Sequence, residues 1–588
     1  MSTNINFNKR LGFSGSGTSE GIILPSGPTF AGFIMELTVT GTSTFQLRGR
    51  NVGTYNYEVD WGDGTVETVT TYNGGTHAYA STGTYEVKIS GDFSGFEYGN
   101  TSSSYKDYIT KIVQWGNIEW KSFYRAFSGL SYLTSLPADY PDITGLIDVR
   151  PYQMFFNNLR LVACDLSNWQ NTGNFAGSAF QTFYGLNSCT NINLTGWDTS
   201  SFTGVQDFMA NCGRGVGGCT VTAPNLDWSG TNTLYRMFYR SCLKADTDIS
   251  NWTLRAAGVN LNRFFYESGG FSTPTFSSVS EVDMSTWNNT SGITSMQYFM
   301  FNANAIKNIN VTNWDTSNVT NTFRAFYNSV QLEEIIGLST IDISSVSSGD
   351  LMFYNTKKLK FNNHNFGTSW NNWAAATFNF SQFFYRNGYS LSDANAGPTP
   401  TVADWSMPNA TGNIYNLFRE AKYTAGSTIT LNWNYPNCTT LQQSFYILKG
   451  VSTLNINMTT TNVLTNFSNC ARGAASISSI TFGSNMNFSG VTIFQTAFYS
   501  MAGTCNLVFD SAVNFGSVTN LVNIVGGGSR KMTTSSYDAF LVRLEATNSN
   551  TVGLSAGQSN YTGSGAGGTA RAALIADHSW SITDGGPV

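Results

Sequence analysis

Charge is what this chain of 588 residues has least of. Only 11% of its residues are Asp, Glu, Lys or Arg, against about 25% in an ordinary soluble protein. The net charge is −5, and no run of Lys and Arg forms a basic footprint. Nucleic-acid binding needs such a footprint to displace counterions, so no nucleic-acid partner is expected. Long apolar runs are missing too, and nothing approaches the ~18 consecutive apolar residues of a membrane span. No membrane insertion is therefore expected. The opening "MSTNINFNKRLGFSGSGTSEG" has no apolar stretch of the kind an export signal carries. A surface-type composition without that signal predicts release by another route, as part of an assembled particle. The 8 cysteines form no CxxC pair, and the 3 histidines, His77, His364 and His578, are scattered. A metal centre, a cofactor site and a His-based triad are accordingly not expected.

What the chain does have is aromatic side chains, at 14% of all residues, including 42 Phe, 28 Tyr and 14 Trp. That is ample apolar material to offset the entropy of folding, so the low charge does not signal disorder. Asn, Ser, Thr and Gly must cover the surface instead. Residues 1–30 are Gly/Ser-rich and read as a tether or anchor. From residue 31 short runs alternate at period two: "FIMELTVTG" (33–41), "YNYEVDWGDGT" (55–65), "TVETVT" (65–70) and "GTYEVKISG" (83–91). Gly, Asn and Asp separate them, which predicts an antiparallel β-sandwich over 31–98. "VDWGDGTVETVT" followed by "THAYASTGTYEVKISG" resembles a PKD-type, immunoglobulin-like domain. The resemblance implies a spacer or adhesion module. Gly62 and Gly64 are suited to a tight turn whose amides Asp60 and Asp63 cap.

A phrase recurs after that module: "TGWDTSSFTGVQDFMANC" at 195, "STWNNTSGITSMQYFMFN" at 285 and "NVTNWDTSNVTNTFRAFYNS" at 310. Trp169 to Trp197 is 28 residues, Trp197 to Trp228 is 31, and Trp287 to Trp314 is 27. Periods of about 20–50 residues mark a solenoid, here over 99–530. In "NINVTNW" Ile309 and Val311 alternate with polar residues, as in a strand with one polar face. Val319, Phe323 and Phe326 fall at i, i+4 and i+7, which predicts a short helix after each strand. Trp197, Trp287 and Trp314 are expected to stack from coil to coil, with Asp198 and Asp315 in the turn beside them. Phe323, Phe326 and their equivalents should fill the space between strand and helix. Cysteines after the aromatic pair, as in "FMANC" (Cys212) and "FYRSC" (Cys242), read as small buried fillers; a disulfide stays open in an oxidising medium. W-D-T-S-x-V-T followed by paired Met/Phe resembles the BspA-like leucine-rich-repeat surface proteins. This implies a leucine-rich-repeat-like α/β solenoid. The match is closest at 196–209 and 313–326, and degenerate from about 340 to 510.

The last stretch, 531–588, contains an amphipathic helix in "SSYDAFLVRLEA" and a second one around Ala573 and Leu574, and predicts a cap over the final apolar surface. The expected fold is thus mainly β with short helices: a sandwich, a solenoid and a cap. No motif promises catalysis. Asp198 and Asp227 could sit on neighbouring coils as a carboxylate pair, but Asp198 belongs to the turn phrase, where Asp satisfies backbone amides. The better binding candidates are Asn193, Asn310 and Asn457, at one position of "NINLT", "NINVT" and "NINMT" on the polar strand face. The expected role is a non-enzymatic virion-surface protein of a phage, a fibre, appendage or capsid decoration. Its N-terminal segment would attach to other virion proteins, and its body would contact a host surface glycan or protein. A homo-oligomer is compatible with this role. The alternatives are a bacterial cell-surface adhesin and a polysaccharide-degrading tailspike.

Overall fold

The computed structural model describes residues 30–99, 104–269, 279–361, 380–400, 402, 405–407, 413–461, 463–526 and 528–588. The predicted tether lies outside them, apart from Phe30. The chain divides into a short unit, Met1–Ala31, and a large one, Gly32–Val588, with which the following is concerned.

The first part of the large unit is an antiparallel sheet module. Its strands are β1 (Phe33–Val39), β2 (Ser43–Gln46), β3 (Asn56–Asp60), β4 (Val66–Val69), β5 (Thr76–Tyr79), β6 (Gly83–Asp92) and β7 (Ile109–Gln114). They form a five-stranded sheet in the order β4-β3-β6-β1-β7 and a two-stranded sheet β2-β5. The period-two runs turn Phe33, Met35, Leu37 and Val39 of β1 and Val87 and Ile89 of β6 into one buried layer. The β3–β4 turn is the WGDG stretch. Gly62 N–H donates to Asp60 Oδ1 (2.9 Å) and Thr65 N–H to Asp63 Oδ1 (3.0 Å). Gly62 has φ 80°, and a Cβ there would come within 2.6 Å of the Glu86 carbonyl oxygen, so only glycine fits. Trp61 is buried and stacks on His77 at 5.0 Å.

β7 belongs to two structures at once. It pairs antiparallel with β1, and on its other side it opens a parallel ladder by bridging Lys111 to Ser135. From there the same bond repeats coil after coil: Thr134 N–H to Thr110 O (2.8 Å), Val162 to Thr134 (3.1 Å), Thr190 to Val162 (2.8 Å) and Thr220 to Thr190 (2.9 Å). The expected boundary at residue 98 therefore precedes a strand that both modules share. Arg50 fastens the joint, bonding Glu97 (2.8 Å) within the sheet module and Asp148 (3.0 Å) in the coils.

The repeats build a β-solenoid of about 14 turns. One coil runs from a strand such as Asn191–Asn193, through the Trp turn, to a second short strand such as Phe202–Gly204, and then through a run of tight turns. Strands of successive coils align in parallel: Ala163–Asp165, Asn191–Asn193 and Thr220–Thr222 in one stretch, and Lys422–Leu431, Lys449–Ile456, Ser479–Phe482 and Thr504–Phe509 in another.

The predicted helix after each strand does not form. Arg324 and Asn328 have φ of 54° and 55°, a left-handed conformation that no helix accepts at four-residue intervals. The backbone N–H groups of Arg324, Phe326 and Asn328 donate instead to Asp350 (3.0 Å), Met352 (2.9 Å) and Tyr354 (2.7 Å) of the next coil. Inter-coil bonds replace the i→i−4 bonds of a helix. Thr322, Ala325, Phe326 and Ser329 are buried while Phe323 is only half-buried, so spacings of three and four arise from the turn run itself. Among the described residues the α-helices are two, and both lie near the end of the chain: α1 (Thr534–Thr547), capped by the Thr533 hydroxyl, and α2 (Ala566–His578). Phe540 of α1 packs on Phe509 (5.4 Å) and Phe515 (5.4 Å), closing the core of the last coils. Strand Gly553–Ser555 pairs in parallel with Ser581–Thr583.

Candidate binding face

The repeated phrase is accounted for by hydrogen bonds between coils. The indole N–H of Trp197 donates to Leu166 O (3.0 Å), that of Trp287 to Ile249 O (2.8 Å) and that of Trp314 to Met284 O (2.8 Å), each on the preceding coil. The rings stack in the same direction, with Trp252, Trp287 and Trp314 at successive centroid distances of 5.0 and 5.4 Å. Asp315 Oδ1 accepts both the N–H (3.0 Å) and the hydroxyl (2.7 Å) of Ser317, and Asp198 does the same with Ser200. These bonds, the Ser317 hydroxyl foremost, hold the Asp315 carboxyl below the usual range. Thr199 and Thr316 hydroxyls donate forward to Asp227 O and Asp342 O, both at 2.7 Å. Trp reaches back, Asp closes its own turn, and Thr reaches on. Phe326 is buried and stacks on Phe353 at 5.4 Å, nearly parallel. Asp227 also binds its own turn, accepting from Ser229 N–H (2.8 Å).

The asparagines are placed differently from the expected row. Asn193 pairs with Asp165 on one side and Thr222 on the other, and Asn310 pairs with Asp283 and Ile336. The three are not neighbours in the ladder. Their side-chain oxygens are occupied: Asn193 accepts from Thr195 N–H (3.1 Å) and hydroxyl (2.8 Å), Asn310 from Thr312 N–H (3.1 Å), and Asn457 from Asn485 N–H (3.0 Å). The cysteines are all buried and unpaired.

The turn runs carry a feature that reading the sequence segment by segment missed. Their third outward position is aromatic over six successive coils, and the rings form one half-exposed column. Centroids are 5.7 Å apart from Tyr239 to Tyr266, then 4.7, 4.8, 4.5 and 4.6 Å through Phe301, Tyr327, Tyr354 and Tyr385. The last four pairs lie within 12° of parallel. From Tyr266 to Tyr385 each ring covers a face of the next, which leaves edges and hydroxyls outward. Burial raises the phenol pKa values of Tyr239, Tyr266, Tyr327, Tyr354 and Tyr385, so the column stays neutral.

Arginines flank this column. Arg125, Arg236, Arg240, Arg263, Arg324 and Arg386 occupy left-handed positions of the turn runs, and Arg419 and Arg472 lie in the same runs. Against these eight cations the runs hold four carboxylates, Asp207, Glu267, Asp350 and Glu420, and no lysine. The face thus has a surplus of four positive charges on a chain whose net charge is −5. Arginine suits the place because its planar guanidinium stacks on aromatic rings. Arg263 lies 5.6 Å from Tyr266 and 5.2 Å from Tyr298, and Arg324 lies 4.9 Å from Phe323 and 5.0 Å from Tyr327. Arg236, Arg240 and Arg386 are ion-paired with Asp207 (2.6 Å), Glu267 (2.6 Å) and Glu420 (2.7 Å). Arg263 and Arg324 form no ion pair among the described residues; Arg263 bonds only the Tyr235 hydroxyl, and Arg324 Nε has no hydrogen-bond partner. The recurring "YRMFYR", "NRFFYE" and "FRAFYN" was the available signal, since Arg falls at one fixed place in the repeat.

Residues 151–277 and 271–392 match the model of a family described as "Mycoplasma protein of unknown function, DUF285". The chain is similar to that family over this stretch, which contains both close copies of the phrase, 196–209 and 313–326. No curated protein and no solved structure matches the chain.

Proposed function

We propose that this protein is a non-enzymatic, surface-displayed adhesion protein, carried on a virion, whose solenoid contacts molecules of a host surface. The observation that carries the reading is the arginine-flanked aromatic column, which repeats over coil after coil on one line of the solenoid. A ligand meeting such a line gains from several coils at once, and this is how repeat proteins make binding surfaces. The N-terminal sheet module is a PKD-type domain in this reading. Its WGDG turn, closed by Asp60 and Asp63, supports that assignment, and the module serves as a spacer. The coils are a BspA-like repeat realised in β-form. The low charge of the chain, with Asn, Ser, Thr and Gly covering the surface, fits a particle component, and attachment through the N-terminal segment completes the scheme.

Immunogold electron microscopy with antibody against residues 31–98 tests the display. Gold on particles, and not on intact cells, is the expected result, and its position on head or tail would identify the structure that carries the chain. Gold on cell envelopes with bare particles would replace the virion reading by that of a bacterial cell-surface adhesin. Release of reducing sugar from host polysaccharide by the purified chain would overturn the non-enzymatic assignment in favour of a tailspike.

A further inference from the structure

We infer that the coils around Arg263 and Arg324 bind an acidic polysaccharide, a glycan chain bearing carboxylates that lies along the solenoid axis. This rests on the adhesion reading above and names its ligand class. Three observations carry it. First, these two guanidiniums are the ones on the central column without an anion: neither forms an ion pair among the described residues, whereas Arg236, Arg240 and Arg386 close by are neutralised by Asp207, Glu267 and Glu420. A stacked, half-buried guanidinium keeps its charge and its fork of donors, and a carboxylate is the group that satisfies both. Second, the charge of this face opposes that of the chain, eight arginines to four carboxylates against a net −5. The surplus is held along one line of the solenoid, from Arg125 to Arg472, and the coils between Asp207 and Glu420 hold six of the arginines against the four carboxylates. Third, the column beside the two arginines is closed to flat ligands, and Tyr298, on the coil between them, meets Tyr266, Phe301 and Phe323 edge-on and carries the Arg263 guanidinium over its ring at 5.2 Å. Tyr266, Phe301 and Tyr327 stand 4.7 and 4.8 Å apart at 8° and 6°, which leaves no gap for a base or an indole. Ring edges and phenol hydroxyls are what remains, and they suit a polyhydroxylated partner. A single-stranded nucleic acid would need open ring faces on which its bases could stack. An acidic glycan does not.

The test uses the full chain and polygalacturonate as probe, with neutral dextran and oligo-dT as comparison ligands, in isothermal titration at low and raised salt. Wild type is expected to bind polygalacturonate, more weakly as salt rises, and to ignore dextran. The double variant R263Q/R324Q is expected to lose about tenfold or more in affinity with an unchanged circular-dichroism spectrum and melting temperature. R240Q, whose arginine already has a carboxylate partner, is the control and is expected to change affinity less than the double variant does. Failure of wild type to bind polygalacturonate, equal binding of dextran, tighter binding of oligo-dT, or an R263Q/R324Q variant that binds like wild type would each overturn the inference. Attachment to intact host cells separates it from the reading beneath. If the double variant still attaches as wild type does, adhesion stands and the arginine site falls. If wild type binds polygalacturonate but no cells, the site stands and adhesion falls.

Discussion

The N-terminal sheet module and the solenoid solve the same problem, the pairing of backbone amides, over different distances. In the sheet module β3 bonds β4 and β6, and each partner is supplied within some tens of residues of the same module. In the solenoid almost every rung is left for the following coil: Gln153 N–H goes to Phe180 O, Gln181 to Gln206, Asp207 to Tyr235 and Arg236 to Asn262. A coil has little order of its own until a neighbour arrives, so the array is stable only as a stack. The sheet module ends in a strand that already presents its outer edge to the first coil. It therefore provides the template that the coils otherwise lack.

This contrast can be broken at the Trp column, where the largest effect is expected. Trp314→Ala removes a buried ring, its stack on Trp287, its edge contact with Phe299 and the indole bond to Met284, and should cost about 3–5 kcal/mol. Hydrogen exchange read by mass spectrometry in rising urea would show it as an early loss of protection in the coils around Trp314, while the strands of the sheet module stay protected. The joint is the next target. Thr134→Pro deletes the N–H that bonds Thr110 of β7 at 2.8 Å, at a cost of about 3 kcal/mol. The expected outcome is that calorimetry resolves two melting steps where wild type gives a single cooperative one, and a single step at lower temperature would show that the two modules unfold as one.

A smaller effect is expected in the turns. Asp315→Ala loses the two bonds from Ser317 and should destabilise by about 1 kcal/mol. The carboxyls of Asp142 and Asp315 both lie below their ordinary value, lowered first by the hydroxyls of Thr144 and Ser317. A depressed carboxyl contributes stability that is present above its unfolded pKa of about 4 and is lost as pH falls through the folded pKa. The midpoint of urea unfolding should therefore be flat from neutral pH to about 5 and decline below about 4. Asp315→Ala should flatten the decline slightly, and an unchanged slope would remove Asp315 from the account. The smallest change is expected on the edge strand β4: Val66→Thr, at a site 54% exposed, should leave stability within about 0.5 kcal/mol.

How much the sequence disclosed follows the same division. The strands of the sheet module were legible because their partners are close and the side-chain period of two is strict. The repeat was legible in Trp197, Trp287 and Trp314, since an indole that must reach back one coil recurs at a coil's length. The run Val319, Phe323, Phe326 misled, because spacings of three and four belong to a helix and equally to consecutive turns with left-handed residues at every fourth place. Hydrogen bonds to a coil some 27 residues away decide between them, and no local window contains that coil. The arginine face was illegible for a related reason. Arg263 and Arg324 are 61 residues apart in sequence, and they reach one face only because two intervening coil lengths cancel in the stack.

The shared strand β7 also means that one end of the ladder begins inside the five-stranded sheet, and α1 and α2 lie beyond its last coils. Between those fixed ends the rungs are interchangeable. Trp287 to Trp314 is 27 residues, one period, so excising such a segment would bring equivalent amides and carbonyls into register again and shorten the molecule by a single layer. Coil number then acts as a ruler: a lineage can lengthen or shorten the solenoid by duplication or loss of one segment, with both terminations left as they are.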